Sequence, residues 1–138
     1  ATNYGMDAPN YVQTAHENTF IICQIETPEA VANIPEMGKV QGVDMLFIGP
    51  NDLSCSLDKF AQYEDSEFVA LIEKAENAIK DTGKLLGSIP YGKFGWQAMF
   101  DRGFNLTTAG TEVALLREAA VNIMKDHTVN NRANEAAE

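Results

Sequence analysis

Positive charge is scarce in this sequence. Lys and Arg number 10 against 20 Asp and Glu over 138 residues, a formal net charge of −10. A phosphate backbone demands a basic surface, so this balance argues against a nucleic-acid partner. Also missing is any apolar run near the ~20 residues needed to cross a bilayer, so no membrane span is expected. The opening residues, ATNYGMDAPNY, show no basic leader followed by an apolar stretch. No signal peptide is therefore expected, and the cytoplasm is the expected compartment. Cysteine is limited to Cys23 and Cys55, too few and too isolated for a zinc knuckle or a disulfide framework. Cys23 lies inside a hydrophobic run, where a thiol packs as a small apolar side chain.

What remains is globular in character: 45% of residues are hydrophobic and 22% charged. The length suits a single domain over residues 1–138 with a real core, ending in a polar tail (TVNNRANEAAE, 128–138) expected to be mobile. Four segments read as buried strands: residues 19–25 (TFIICQI), 43–49 (VDMLFIG), 84–89 (KLLGSI) and 104–109 (FNLTTA). The first two are nearly continuous apolar runs, as expected of parallel strands covered on both faces.

Each strand is followed by a helical pattern, the order of repeated βα units. Thr27 and Pro28 suit the cap and first position of a helix with Ala30, Val31, Ile34 and Met37 on one face. Pro35 predicts that this helix is short or broken. A polar loop is expected over 51–65. It precedes an amphipathic helix with Phe68, Leu71, Ile72, Ala75 and Ile79 inward and Gly83 as its stop. Residues 93–101 place Trp96, Met99 and Phe100 on a short helix, and Thr111 caps a last helix with Leu115, Leu116, Ala119, Ile123 and Met124 inward. A leading helix over 9–17 has Asp7 as its expected cap.

The predicted fold class is α/β. Four parallel βα units make half of a (β/α)8 barrel, which typically needs ~250 residues. Four parallel strands also form a small open doubly wound sheet, and periodicity does not separate the two. In both, function sits at the carboxyl ends of the strands. Those ends read Gln24-Ile25-Glu26-Thr27, Gly49-Pro50-Asn51-Asp52, Ser88-Ile89-Pro90 and Ala109-Gly110-Thr111-Glu112. The first two each offer an acid, on consecutive strands that are expected neighbours. Two oxygen ligands, with other positions left to water and substrate, suit Mg²⁺ or Mn²⁺. No His or Cys stands beside them, which argues against zinc. The same residues also suit a plainer role, with Glu26 capping the next helix and Asp52 shaping a turn.

Gln24-Ile25-Glu26-Thr27, Asn33-Ile34, Gly42-Val43-Asp44 and Phe47-Ile48-Gly49-Pro50-Asn51-Asp52-Leu53-Ser54 follow in one order and spacing. Gly83-Lys84 with Gly87, and Gly103-Phe104 leading to Gly110, come later. This set closely resembles the metal-dependent 2-oxo acid aldolases of the 4-hydroxy-2-oxoheptanedioate aldolase family, over about residues 4–124. The resemblance implies the C-terminal half of a (β/α)8 TIM barrel and a carbon–carbon lyase forming or cleaving a bond through a pyruvate enolate. It implies Glu26 and Asp52 as ligands of a divalent cation, Mg²⁺ or Mn²⁺ with Co²⁺ also compatible. The backbone amides of Asn51 and Asp52 are implied to hold the substrate carboxylate, with Gln24 supporting the site. The implied substrates are a pyruvate- or oxaloacetate-like 2-oxo acid and an aldehyde. No Schiff-base lysine is needed, and no strand carries a Lys near its carboxyl end.

Two departures stand out. Gly110-Thr111-Glu112 stands where the family pattern has Gly-x-Asp, and the family's catalytic Arg and His precede the stretch this chain resembles. No catalytic residue is therefore expected in this chain. His16 and His127 read as surface residues, and Trp96 and the tyrosines as core or interface packing. Family resemblance also implies oligomers that exchange the helix over 111–126. A different class of function is a noncatalytic half-barrel that works by association with another chain through open sheet edges. An unrelated flavodoxin-like binding domain is disfavoured, because no strand end carries a glycine-rich phosphate loop.

Overall fold

The computed structural model describes residues 2–135, with side chains described as far as residue 125. Helix α1 (Ala8–Asn18) precedes strand β1 (Ile22–Ile25), followed by α2 (Pro28–Gly38) and β2 (Met45–Ile48). Then come α3 (Pro50–Cys55), α4 (Ser66–Thr82), β3 (Leu85–Ser88), α5 (Trp96–Asp101), β4 (Leu106–Thr107) and α6 (Glu112–Glu135). The strands form one parallel sheet in the order β1-β2-β3-β4. A doubly wound sheet reverses its strand order at a switch point. This one never reverses, so its winding is that of a barrel segment.

The chain forms two compact units, one up to Thr107 and one from Thr108. In the first, the helices cover one face of the sheet. Ile25, Leu46, Ile48 and Leu86 on that face are buried against Val31 and Ile34 of α2 and Phe68, Ile72, Ala75 and Ile79 of α4. The other face is largely uncovered. Ile22, Leu85 and Leu106 lie on it and are exposed. The continuous apolar runs predict cover on both faces, whereas within this unit the described helices cover one.

Local chemistry explains most boundaries. Thr27 Oγ1 accepts from Ala30 N at 3.1 Å. Asp65 caps α4 by accepting from Glu67 N and Phe68 N, and Gly83, with φ of 74°, ends it. Asp7 makes no such cap bond to the backbone and accepts instead from the Asn10 side chain. Helix α2 runs unbroken through Pro35 for 11 residues, contrary to expectation. The lost bond costs about 3 kcal/mol in an isolated helix, and here the packing of Val31 and Ile34 beside α4 offsets it. The expected polar loop opens with α3, which starts at Pro50 and buries Leu53 and Ser54. Trp96 is exposed, stacked edge-on with Phe100, so it is not core.

The second unit is α6, where Thr111 Oγ1 accepts from Ala114 N as expected. Its apolar residues are not inward: Leu115, Leu116, Ala119, Ile123 and Met124 are all exposed. A helix buries an apolar stripe only where a complementary face covers it. The helical backbone continues over 128–135, into the segment expected to be a mobile tail. Residues 136–138 of that segment, and all its side chains, lie outside the described residues. No helix among the described residues is long and apolar enough to cross a membrane.

One buried ion pair lies in the helix layer. Arg102 Nη2 donates to Glu76 Oε1, Arg102 Nη1 to Tyr91 Oη at 3.1 Å, and the guanidinium sits 4.6 Å from the centre of the Phe94 ring. Burial pushes the Glu76 carboxyl above its ordinary value, against the lowering pull of Arg102. A carboxyl raised on folding contributes its stability below its unfolded pKa and loses it as pH rises through the folded one. Arg102→Ala removes the opposing pull and is expected to cost about 3–5 kcal/mol near neutral pH. The deficit should shrink below the ordinary glutamate range, where Glu76 is protonated in both states. Urea unfolding at the two pH values checks this, and an equal cost at both would refute it.

Candidate metal centre

The carboxyl ends of β1 and β2 are held side by side. Ile25 pairs with Ile48, and Gly49 N donates to Ile25 O at 3.0 Å. On the far side, Ser88 Oγ donates to Ile48 O at 2.8 Å and ties β3 to the same strand. Glu26 and Gly49 therefore follow adjacent, registered strand tips. A Cβ added to Gly49 would lie 2.9 Å from Glu26 Cγ and 3.0 Å from its Oε1. The Glu26 side chain thus lies across Gly49, in space that only glycine leaves open. The φ of Gly49 is −92°, so its identity answers to this close approach and not to backbone conformation.

Chain direction then turns into α3, where Leu53 N donates to Gly49 O at 2.9 Å. Asp52 sits in the first turn and is exposed. Asn51 beside it accepts from Ser54 Oγ at its carbonyl and from the Tyr63 hydroxyl at its side chain. Among the described residues, neither the Glu26 nor the Asp52 carboxylate makes a hydrogen bond or ion pair. Thr27, not Glu26, caps α2. Gln24 is exposed two residues before Glu26 on the same strand. No group of three or more His, Cys, Asp or Glu able to hold a metal occurs among the described residues.

Other motif residues serve at the opposite end of the sheet. Asp44 Oδ2 accepts from Ile21 N at 2.7 Å, and Lys84 Nζ donates to Val43 O at 2.7 Å, pinning the amino ends of the strands. His16 is exposed beside Glu17 in α1, whereas the side chain of His127 lies outside the described residues. Sequence reasoning missed a cleft of about 500 Å³ in the helix layer, lined by Tyr63, Phe68, Tyr91, Phe94 and Arg102 among others. One wall is α4 (Phe68, Val69, Ile72 and Glu73), and the others are the segments around Tyr63 and residues 91–94, which carry no periodicity to betray them.

Parallel βα units wound in one direction along a single sheet are the architecture of a (β/α)-barrel segment. The chain belongs to the HpcH/HpaI aldolase/citrate lyase family, whose sequence profile matches residues 3–119. It is 32% identical over 129 residues to the hydroxypyruvate/pyruvate aldolase of Delftia acidovorans, covering 94% of this chain and 48% of that protein. It is 34% identical over 112 residues to the 4-hydroxy-2-oxo-heptane-1,7-dioate aldolase of Escherichia coli, covering 81% and 43%. The solved HpcH/HpaI aldolase of Desulfitobacterium hafniense superposes with a TM-score of 0.71 at 29% identity, covering 86% of this chain and 46% of the other. The chain spans about half the length of the curated relatives it matches.

Gly49→Ala should force the Glu26 side chain aside, with a cost of about 1–3 kcal/mol for overpacking. In a Glu26→Ala background that cost should largely vanish, because the clashing atoms are gone. A urea-unfolding double-mutant cycle measures it, and additive costs would show that the two residues do not meet.

Proposed function

We propose that this chain carries the metal-binding half of a metal-dependent aldolase for pyruvate-like 2-oxo acids, acting in the cytoplasm. In this reading Glu26 and Asp52 hold a divalent cation, Mg²⁺ or Mn²⁺ with Co²⁺ also compatible. The observation that carries it is the pair of unengaged carboxylates, Glu26 just past β1 and laid across Gly49, and Asp52 in the first turn of the helix that follows β2. Their lone pairs are free, and hard oxygen donors suit such ions. Two protein ligands leave positions for water and for a chelating substrate.

Around that site, the first-turn N–H groups of Asn51 and Asp52 point out of α3 before the helix supplies acceptors for them. They are assigned to the substrate carboxylate, with Gln24 supporting from the same strand. Carbon–carbon cleavage leaves an enolate, and a bound cation would offset its negative charge. The aldehyde partner and the proton-handling Arg and His are assigned to the part of the barrel outside this chain. Arg102 does not replace that arginine, because it is engaged with Glu76 and Tyr91 in the helix layer.

The uncovered sheet face supports the half-barrel reading. Ile22, Leu85 and Leu106 lie exposed on it, and among the described residues the outer edges of β1 and β4 are unpaired. Further βα units, from the C-terminal half's missing counterpart or from another chain, would cover both. The exposed Leu115, Leu116 and Ile123 of α6 support assembly through that helix into a homo-oligomer. These same apolar surfaces favour the second reading, a noncatalytic half-barrel that works by association.

Two measurements discriminate. Calorimetric titration of the 138-residue chain with Mn²⁺ should show weak binding that the Glu26→Ala, Asp52→Ala double variant loses. An unchanged titration in the double variant would remove the proposed centre. Aldol cleavage by this chain alone, followed as pyruvate release, should be negligible, and robust turnover would show that the chain is catalytically self-sufficient.

A further inference from the structure

Tyr63 lies between α3 and α4 and joins two parts of the molecule. Its ring packs against Phe68 and Tyr91, each with its centroid 5.6 Å away, and walls the helix-layer cleft. Its hydroxyl donates to Asn51 Oδ1, in the first turn of α3. Pro50 and Leu53 seat α3 in the core by packing, but the polar anchors of its first turn are few. Helix α3 is six residues long and has no side-chain cap at its start. So short a helix has little stability of its own and takes its orientation from what holds it. Ser54 Oγ donates to Asn51 O at 2.7 Å and accepts from Ala61 N at 3.1 Å, while Ser54 O accepts from Lys59 N at 2.9 Å. These bonds all pass through Ser54; the first lies within α3 and the other two tie it to the segment that follows. The Tyr63 bond ties the turn directly to the aromatic cluster packed on α4.

We infer that Tyr63 is a positioning residue for the metal centre, its hydroxyl fixing Asn51 and thereby the direction of the adjacent Asp52 carboxylate. Consecutive helical residues are offset by a fixed rotation, so a side chain held at position 51 sets where position 52 projects. The inference rests on the reading that Glu26 and Asp52 share a cation.

The test is Mn²⁺ titration of four variants of the full chain, Tyr63→Phe, Asn51→Ala, their combination and Tyr91→Phe, alongside Asp52→Ala. Tyr63→Phe keeps the ring and removes only the bond, and should weaken Mn²⁺ binding about three- to tenfold, the worth of one hydrogen bond. In the Asn51→Ala background it should cause no further loss. Tyr91→Phe removes a hydroxyl from the same cluster that is bonded to Arg102, not to α3. It should lower the urea midpoint comparably and leave Mn²⁺ affinity unchanged. Equal losses of affinity in Tyr63→Phe and Tyr91→Phe would reduce Tyr63 to packing and overturn the inference. So would parental affinity in Tyr63→Phe beside lost binding in Asp52→Ala, with the metal centre itself left standing. Unchanged binding in Asp52→Ala would sink the centre and this inference together.

Discussion

The register between β1 and β2 is the constraint on which the candidate site depends. Ile25 opposite Ile48 puts Glu26 beside Gly49 and leaves Gly49 N to bond Ile25 O. A slip of one residue would turn Glu26 toward the helix layer and bury a carboxylate among Val31, Ile34 and Leu53. The apolar side chains that prevent the slip are Ile25, Leu46 and Ile48, all fully buried under α2 and α4. Hydrophobic burial on one face of the sheet therefore fixes the geometry of polar groups at its end.

Glycine at position 49 makes room in that register for the Glu26 side chain. A larger residue there would occupy the space in which the Glu26 side chain lies. Immediately afterwards Pro50 opens α3, whose first turn carries Asp52. Three consecutive features thus do separate work: close approach, helix start and carboxylate.

The two faces of the sheet have different fates. One carries a complete core with an aromatic cluster and a buried Arg102–Glu76 pair above it. The other presents Ile22, Leu85 and Leu106 to solvent between strands whose outer edges are unpaired among the described residues. Edges of this kind favour pairing with further strands. The chain spans about half the length of the curated relatives it matches.

Strand positions, the order of βα units, the Thr27 cap and the stop at Gly83 were legible in the sequence because each follows from a few neighbouring residues. Glu26 was legible as an acid just past β1, because a strand end is marked by where its apolar run stops, whereas the helix that carries Asp52 was not. Other features needed the folded chain. Helix α2 survives Pro35 because α4 packs beside it, and Leu115 and Leu116 of α6 are exposed although their spacing predicts an inward stripe. The Tyr63–Asn51 and Arg102–Glu76 bonds join residues 12 and 26 positions apart. Local pattern determines which elements form and which face is apolar. What those faces meet, and which distant polar groups come within bonding reach, is set by tertiary packing, because contact energies act between residues that chain order keeps apart.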